Sequence, residues 1–166
     1  EMKTLILVRH AKSDWQDVTL EDFDRPLNAR GKTDAPVMAE RLRKRGIVPD
    51  LFISSPAKRA RKTADIFAEI YDIDKKDILF EKDLYLAPPY VFTEVIGRFK
   101  DEVNIAVIFS HNPGITDFAN ILTNARIDDM PTCAIFAVEA DIDSWAAFDT
   151  AAKRFLFCDY PKKPQD

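Results

Sequence analysis

Four side chains suited to handling a transferable anion lie at three separated points of this sequence: Arg9 and His10, then Arg59, then His111. His10 and His111 are the only two histidines among 166 residues. Each follows a short apolar run, Leu5-Ile6-Leu7-Val8 before Arg9-His10 and Ile105-Ala106-Val107-Ile108-Phe109 before Ser110-His111. Such runs read as buried strands, and parallel strands deliver the residues that follow them to one sheet edge, where open α/β sheets place their ligands. Arg59 falls in the first turn of a helix expected to open at Ser55-Pro56, at that same edge. Its planar fork matches two oxygens of a phosphoryl group. The turn His111-Asn112-Pro113-Gly114 leads into another helix, whose free N–H groups face the same place.

A phosphoryl group ringed by Arg9, Arg59 and His111 would be held by positive charge, the main service a protein can give phosphoryl transfer. His10 is then left to attack: neutral imidazole is a good nucleophile near pH 7, and a phosphohistidine intermediate divides one hard displacement into two easier ones, the second completed by water. The competing chemistry is a zinc site made of His10, His111 and Asp14, which the adjacent Arg9 charge disfavours. A binding module that holds phosphate without turnover is the other competitor, although it has no use for a neutral His10. Of the basic run Lys58-Arg59-Arg61-Lys62, all but Arg59 read as a solvated helix face. Ser54 and Ser55 lack a Gly-x-Ser-x-Gly elbow and suit capping better than nucleophilic attack.

The elements that must position these residues alternate in type, which implies a three-layer α/β/α sandwich around a mainly parallel sheet. A first strand spans about residues 3–9. Residues 11–30 have no clean period and hold Asp14, Trp15, Asp17, Asp22, Asp24 and Pro26, so they form a long loop of the kind that is usually functional. A helix over about 34–45 takes Asp34 as N-cap, Pro36 in its first turn and Gly46 as its stop. Leu51 to Ser54 is the second strand, and Ser55-Pro56 opens the second helix as cap and first residue. A short strand near 78–80, a helix carrying Val91, Phe92, Val95, Ile96 and Phe99, the strand 105–109 and a helix from Pro113 follow. Cys133 to Val138 and Arg154 to Tyr160 are two more strands. The segment 141–153 has no assignable type, and 161–166 is expected to fray.

Size and balance suit one domain: 46% hydrophobic and 31% charged residues over 1–166. A net charge of -4 with dispersed basic residues argues against nucleic acid or an anionic membrane as partner. No secretory-type leader and no apolar run of about 18 residues is present, so a cytoplasmic location is expected. Cys133 and Cys158 are not spaced as a metal or redox motif and read as core thiols, with a cross-strand disulfide as the lesser alternative. Neither metal nor cofactor is called for, and the oligomeric state is open.

The same residues carry a family resemblance. Arg9-His10-Ala11-Lys12-Ser13-Asp14-Trp15-Gln16 resembles the Arg-His-Gly signature at the first strand end of the histidine phosphatase superfamily, with alanine in third place. It looks like the Arg-His-Gly-Glu-Ser-x-Trp-Asn of the phosphoglycerate mutase branch, while Arg-His-Ala-Lys-Ser in a short chain is more similar to the small SixA-type phosphohistidine phosphatases. Ser55 to Ala64 resembles Ser-Pro-x-x-Arg-Ala-x-x-Thr-Ala, and Ser110 to Ile115 the second-histidine segment. The match runs in order over about residues 3–122.

The resemblance implies a phosphoglycerate mutase-like fold, His10 as phosphorylated nucleophile, Arg9 and Arg59 as phosphate ligands, and His111 completing the pocket. It marks Gln16, at the place of a phosphate-contacting asparagine, Arg25 in Arg25-Pro26-Leu27, and Asn112 as substrate-binding candidates. The acidic proton donor of the mutases has no counterpart in Leu84-Tyr85-Leu86-Ala87, which leaves Asp14 and Asp83 as alternatives or no donor at all. A missing donor harms alkyl ester cleavage more than cleavage of a P–N bond. The implied function is therefore hydrolysis of protein phosphohistidine, with a small phosphate ester phosphatase or a mutase as alternatives.

Overall fold

In the computed structural model, residues 1–165 are described. Six strands form one sheet in the order β3-β2-β4-β1-β5-β6. They are β1 (Met2–Arg9), β2 (Leu51–Ser54), β3 (Leu79–Phe80), β4 (Ile105–Ser110), β5 (Ile135–Asp141) and β6 (Arg154–Asp159). β3, β2, β4 and β1 run parallel, and β5 and β6 are antiparallel additions beyond β1. The apolar runs alternate faces despite looking continuous. Leu5, Leu7, Ala106, Ile108, Phe136 and Val138 join one core cluster, while Ile6, Val8, Val107, Phe109, Ile135 and Ala137 join the other. Both faces are covered, so neither phase of the alternation is free to be polar.

Helices α1 (Ala29–Lys44) and α2 (Lys58–Ile70) cover one face, and α3 (Pro89–Gly97) and α4 (Gly114–Leu122) cover the other. The chain leaves β1 toward the α1 and α2 face and leaves β4 toward the α4 face. The two adjacent strand ends thus diverge and open a crevice between them, the position where doubly wound sheets bind ligands. His10 and His111 are the residues that step into it.

Several local expectations are corrected. Helix α1 begins at Ala29 because Asn28, not Asp34, is the cap: its side chain accepts from the Gly31 N–H at 2.9 Å. Pro36 therefore lies inside the helix, where its missing N–H leaves the Lys32 carbonyl without its helical donor. Helix α2 begins at Lys58, after Ser55-Pro56, because Ala57 is still extended and the Ser55 hydroxyl closes a turn by accepting from the Ala57 N–H. Cys133 precedes β5 with φ 60°. Both cysteines are free, Cys133 buried and Cys158 half-buried. Within 141–153 a single 3-10 turn, Trp145–Ala147, seats the fully buried Trp145. The tail is tied down as far as Lys163, since Arg41 donates to the Tyr160 and Pro161 carbonyls and the Lys163 N–H donates to Tyr160. Asp166, the last of the segment expected to fray, is outside the described residues.

Candidate active site

His10 is fixed by backbone bonds from three elements. Its N–H donates to the Ser110 carbonyl of β4, its carbonyl accepts from Cys133, and the next N–H, of Ala11, donates to Thr63 of α2. The imidazole Nδ1 lies 2.7 Å from the Ala11 carbonyl. A carbonyl only accepts, so the ring proton sits on Nδ1 and the lone pair on Nε2. Arg59 Nε–H faces that lone pair at 3.4 Å. The neutral tautomer required of a nucleophile is thereby selected.

His111 meets His10 with ring centroids 5.1 Å apart. Its Nε2 lies 2.8 Å from the Ser55 hydroxyl, which also accepts from the Ala57 N–H. Its Nδ1 is buried and has no protein partner. Arg9 is similar: one terminal nitrogen donates to the Met130 carbonyl at 2.8 Å, and its buried Nε has no protein partner. Two buried nitrogens lining the same cavity as His10 are thus left without a protein partner, and such groups call for one from outside the chain.

Burial pushes His10 down to about 3, against the opposing pull of its bond to Ala11 and with the neighbouring guanidinium charges of Arg59, Arg9 and Arg25 adding to the shift. Burial, then His10 and Arg59, pushes His111 down to about 2. Both rings stay neutral at physiological pH. Burial also lowers Arg9, and Asp129 opposes that shift.

These groups line a cavity of about 270 Å³ together with Lys12, Ser13, Trp15, Asp22, Arg25, Leu86, Asn112 and Thr132. Arg25 is buried: it donates to Ser13 at 2.6 Å and to Asp22, and its guanidinium stacks 3.4 Å from the Trp15 ring centre. Asn112 sits at the wall with its amide spent on Asp129, the Met130 carbonyl and Thr116. Gln16 is exposed and does not line the cavity. Asp14 turns its carboxylate to the Gln16 N–H, and Asp83 lies exposed in the turn Lys82–Leu84; neither lines the cavity.

Two residues gain a place that sequence reasoning gave them no role in. Asp22 accepts from Arg25, Arg59 and, at 2.6 Å, the Tyr85 hydroxyl. Burial would raise this carboxyl, but the bonds from Tyr85, Arg59 and Arg25 outweigh it and hold it well below the usual carboxylate range. Tyr85 lays its ring edge-on to His111 at 5.5 Å, and burial, then Asp22, raises its phenol. The acid spaced three residues before Arg25 is the one local signal that pointed to Asp22. The Tyr85 contact spans 63 residues and leaves no local trace.

Residues 5–104, more than half of the chain, match the histidine phosphatase superfamily (branch 1). An uncharacterised chloroplast protein of Arabidopsis thaliana is 30% identical over 151 residues, covering 86% of this chain and 69% of that one. Phosphoserine phosphatase 1 of Hydrogenobacter thermophilus is 33% identical over 105 residues, 61% of this chain but only 49% of the relative. Among solved structures, a candidate phosphohistidine phosphatase SixA from Agrobacterium tumefaciens superposes with TM-score 0.82 at 25% identity, over 96% of this chain and 98% of that one. A protein histidine phosphatase SixA complexed with tungstate gives TM-score 0.81 at 18% identity over 95% and 97%, a likeness of fold.

The chain belongs to the histidine phosphatase superfamily, with the phosphoglycerate mutase-like fold seen in its SixA-type branch. At the level of reaction it is a phosphatase. No helix among the described residues is long and apolar enough to cross a membrane.

Proposed function

We propose that this protein hydrolyses phosphohistidine on another protein, through a phosphoryl group carried on His10 and without a metal ion. His10 Nε2 attacks phosphorus; the P–N bond to the substrate imidazole breaks, and that imidazole leaves with the electron pair and takes a proton from solvent. Water then attacks the same phosphorus, the P–Nε2 bond breaks, and inorganic phosphate departs. Arg9, Arg59 and His111 hold the three peripheral oxygens through both steps and neutralise their charge. The observation that carries this reading is the His10 Nε2 lone pair, kept unprotonated by the Ala11 carbonyl and met by the Arg59 Nε–H, in a cavity lined also by Arg9 and His111, each with a buried nitrogen that has no protein partner.

The substrate class follows from what the cavity offers a leaving group. Among the described residues Asp22 is the only carboxylate lining it, and three donors keep that group ionised. An alkoxide would need a proton that Asp22 does not hold, whereas imidazole leaves readily. A small phosphate ester is the second reading, supported by the likeness to a phosphoserine phosphatase.

The test compares wild type with His10→Ala on an aryl phosphate and on a histidine-phosphorylated protein, each with and without EDTA. Wild type is expected to cleave the phosphoprotein with EDTA present, and the variant to cleave neither. Activity that survives the substitution, or that the chelator removes, overturns the mechanism. An acid-labile phosphoenzyme on His10 distinguishes a catalyst from a module that only binds.

A further inference from the structure

A second concavity, of about 460 Å³, lies beside the first, between the start of α1 and the outer face of α2. Its floor is apolar, from Pro26, Leu27 and Ile66, and its rim carries Lys32, Lys58, Lys62 and Lys75 with Asp65 and Glu69. It adjoins the phosphoryl pocket through the chain itself. Pro26 follows Arg25, Lys58 precedes Arg59, and Lys12 of the pocket wall packs its backbone against Gly31, next to Lys32.

The charges are distributed unevenly along this groove. Lys58 and Lys62 are one helical turn apart at the end of α2 nearest His10, with Lys32 across from them. Glu69 lies eleven residues beyond Lys58, about 16 Å along the axis at 1.5 Å per residue, where Lys75 also sits. The end near the pocket is therefore basic and the far end is balanced. Among the described residues, none of Lys32, Lys58 and Lys62 forms an ion pair within 4.0 Å. Three unpaired ammonium groups on one face of a chain of net charge -4 are a local excess that folding does not explain.

We infer that this groove docks an acidic segment of the phosphorylated protein, with carboxylates within a few residues of the phosphorylated side chain meeting Lys32, Lys58 and Lys62. The inference rests on a phosphoprotein being the substrate and adds what that protein must look like. An extended segment covers about 3.3 Å per residue, so acidic positions two to five residues from the phosphorylated histidine reach the lysines. The apolar floor takes an aliphatic side chain between them. Exposed charges of this kind set encounter rate and partner choice more than final affinity, so their signature is a salt-dependent kcat/KM.

The experiment uses Lys32→Glu/Lys62→Glu, both exposed and outside the phosphoryl pocket. Three quantities are measured: kcat/KM for para-nitrophenyl phosphate, kcat/KM for histidine-phosphorylated peptides with glutamate or with lysine flanks, and calorimetric binding of the unphosphorylated glutamate-flanked peptide. The expected result is aryl phosphate turnover within twofold of wild type, at least a tenfold loss on the glutamate-flanked peptide, a gain on the lysine-flanked one, and weaker calorimetric binding. Equal turnover of both peptides by wild type, or unchanged binding in the variant, overturns the docking proposal. Wild type that cleaves the aryl phosphate but neither phosphopeptide overturns the phosphohistidine reading instead, and the calorimetry still decides whether the groove takes an acidic segment.

Discussion

Arg59 grips Asp22 with both terminal nitrogens of its guanidinium, donating to the backbone carbonyl at 2.6 Å and to the carboxylate at 2.9 Å. Its third nitrogen is thereby aimed at His10. A buried arginine on a rigid helix is thus oriented by an acid on the long loop between β1 and α1, and the same acid fixes Arg25.

Removing this guanidinium should cost transition-state stabilisation. Arg59→Ala is expected to lower kcat on an aryl phosphate by two to three orders of magnitude, about 3 to 4 kcal/mol, the usual cost of one preorganised donor. Arg61→Ala, on the exposed face of the same helix, should stay within twofold. Steady-state kinetics on the pair checks both.

Asp22→Asn keeps an acceptor and removes the charge. The pocket becomes more positive while the Arg59 fork loses its fixed direction, so inorganic phosphate should inhibit the variant at several-fold lower concentration even as kcat falls. A parallel loss of phosphate affinity and kcat would show that the carboxylate serves alignment alone. Phosphate inhibition constants measured beside kcat separate the two outcomes.

Stability should depend on pH through the two imidazoles. His10 and His111 titrate at about 3 and about 2 in the folded chain, below the ordinary 6.5 they regain on unfolding. Between those limits the unfolded state binds more protons, so stability rises with pH up to about 6.5 and is then flat as far as these groups decide it. At pH 5 the penalty is about 2 kcal/mol for each ring at 1.36 kcal/mol per unit. Urea midpoints across pH 4 to 7 for wild type and His111→Asn test this, and the variant should show close to half the slope.

Gly114 opens α4 directly beneath the Ala87 backbone. A Cβ there would sit 1.7 Å from the Ala87 carbonyl oxygen, so Gly114→Ala must push two backbone segments apart. We expect a loss of about 2 to 3 kcal/mol, or about 5 to 10 °C in Tm, by the usual cost of overpacking. Activity should fall with it, because His111 and Leu86 border those segments. Thermal unfolding followed by circular dichroism provides the measurement.

The sheet was legible where the sequence is most monotonous. Continuous apolar runs ending in Arg9-His10 and Ser110-His111 located β1 and β4, because only strands buried on both faces tolerate such runs. Helix starts were less legible. Asn28 and Asp34 are equally good caps by type, and only the approach of Gly31 to the Lys12 backbone decides for Asn28. The antiparallel placement of β6 beside β5 depends on how residues 141–153 turn back, and in that turn Trp145 buries itself against distant residues. His10, Arg59 and His111 were readable as one constellation because each stands at an element terminus. Asp22 opens a single 3-10 turn, Asp22–Asp24, and Tyr85 caps the end of another, Lys82–Leu84; turns this short carry no period to read, and the bond joins them across the chain. Lys3 is a further case: a fully buried ammonium, held by the Asp101 and Val103 carbonyls and Asn104, at a position indistinguishable by type from a solvated strand end.

The indole stacked on Arg25 gives the molecule an optical gauge of its own. Of the two tryptophans, Trp145 is sealed from solvent, whereas Trp15 is 71% exposed at the mouth of the cavity with a cation 3.4 Å from its ring centre. Long-wavelength emission is therefore expected from a single reporter beside the cavity, and a fluorescence titration with inorganic phosphate should follow an anion entering it without an attached dye.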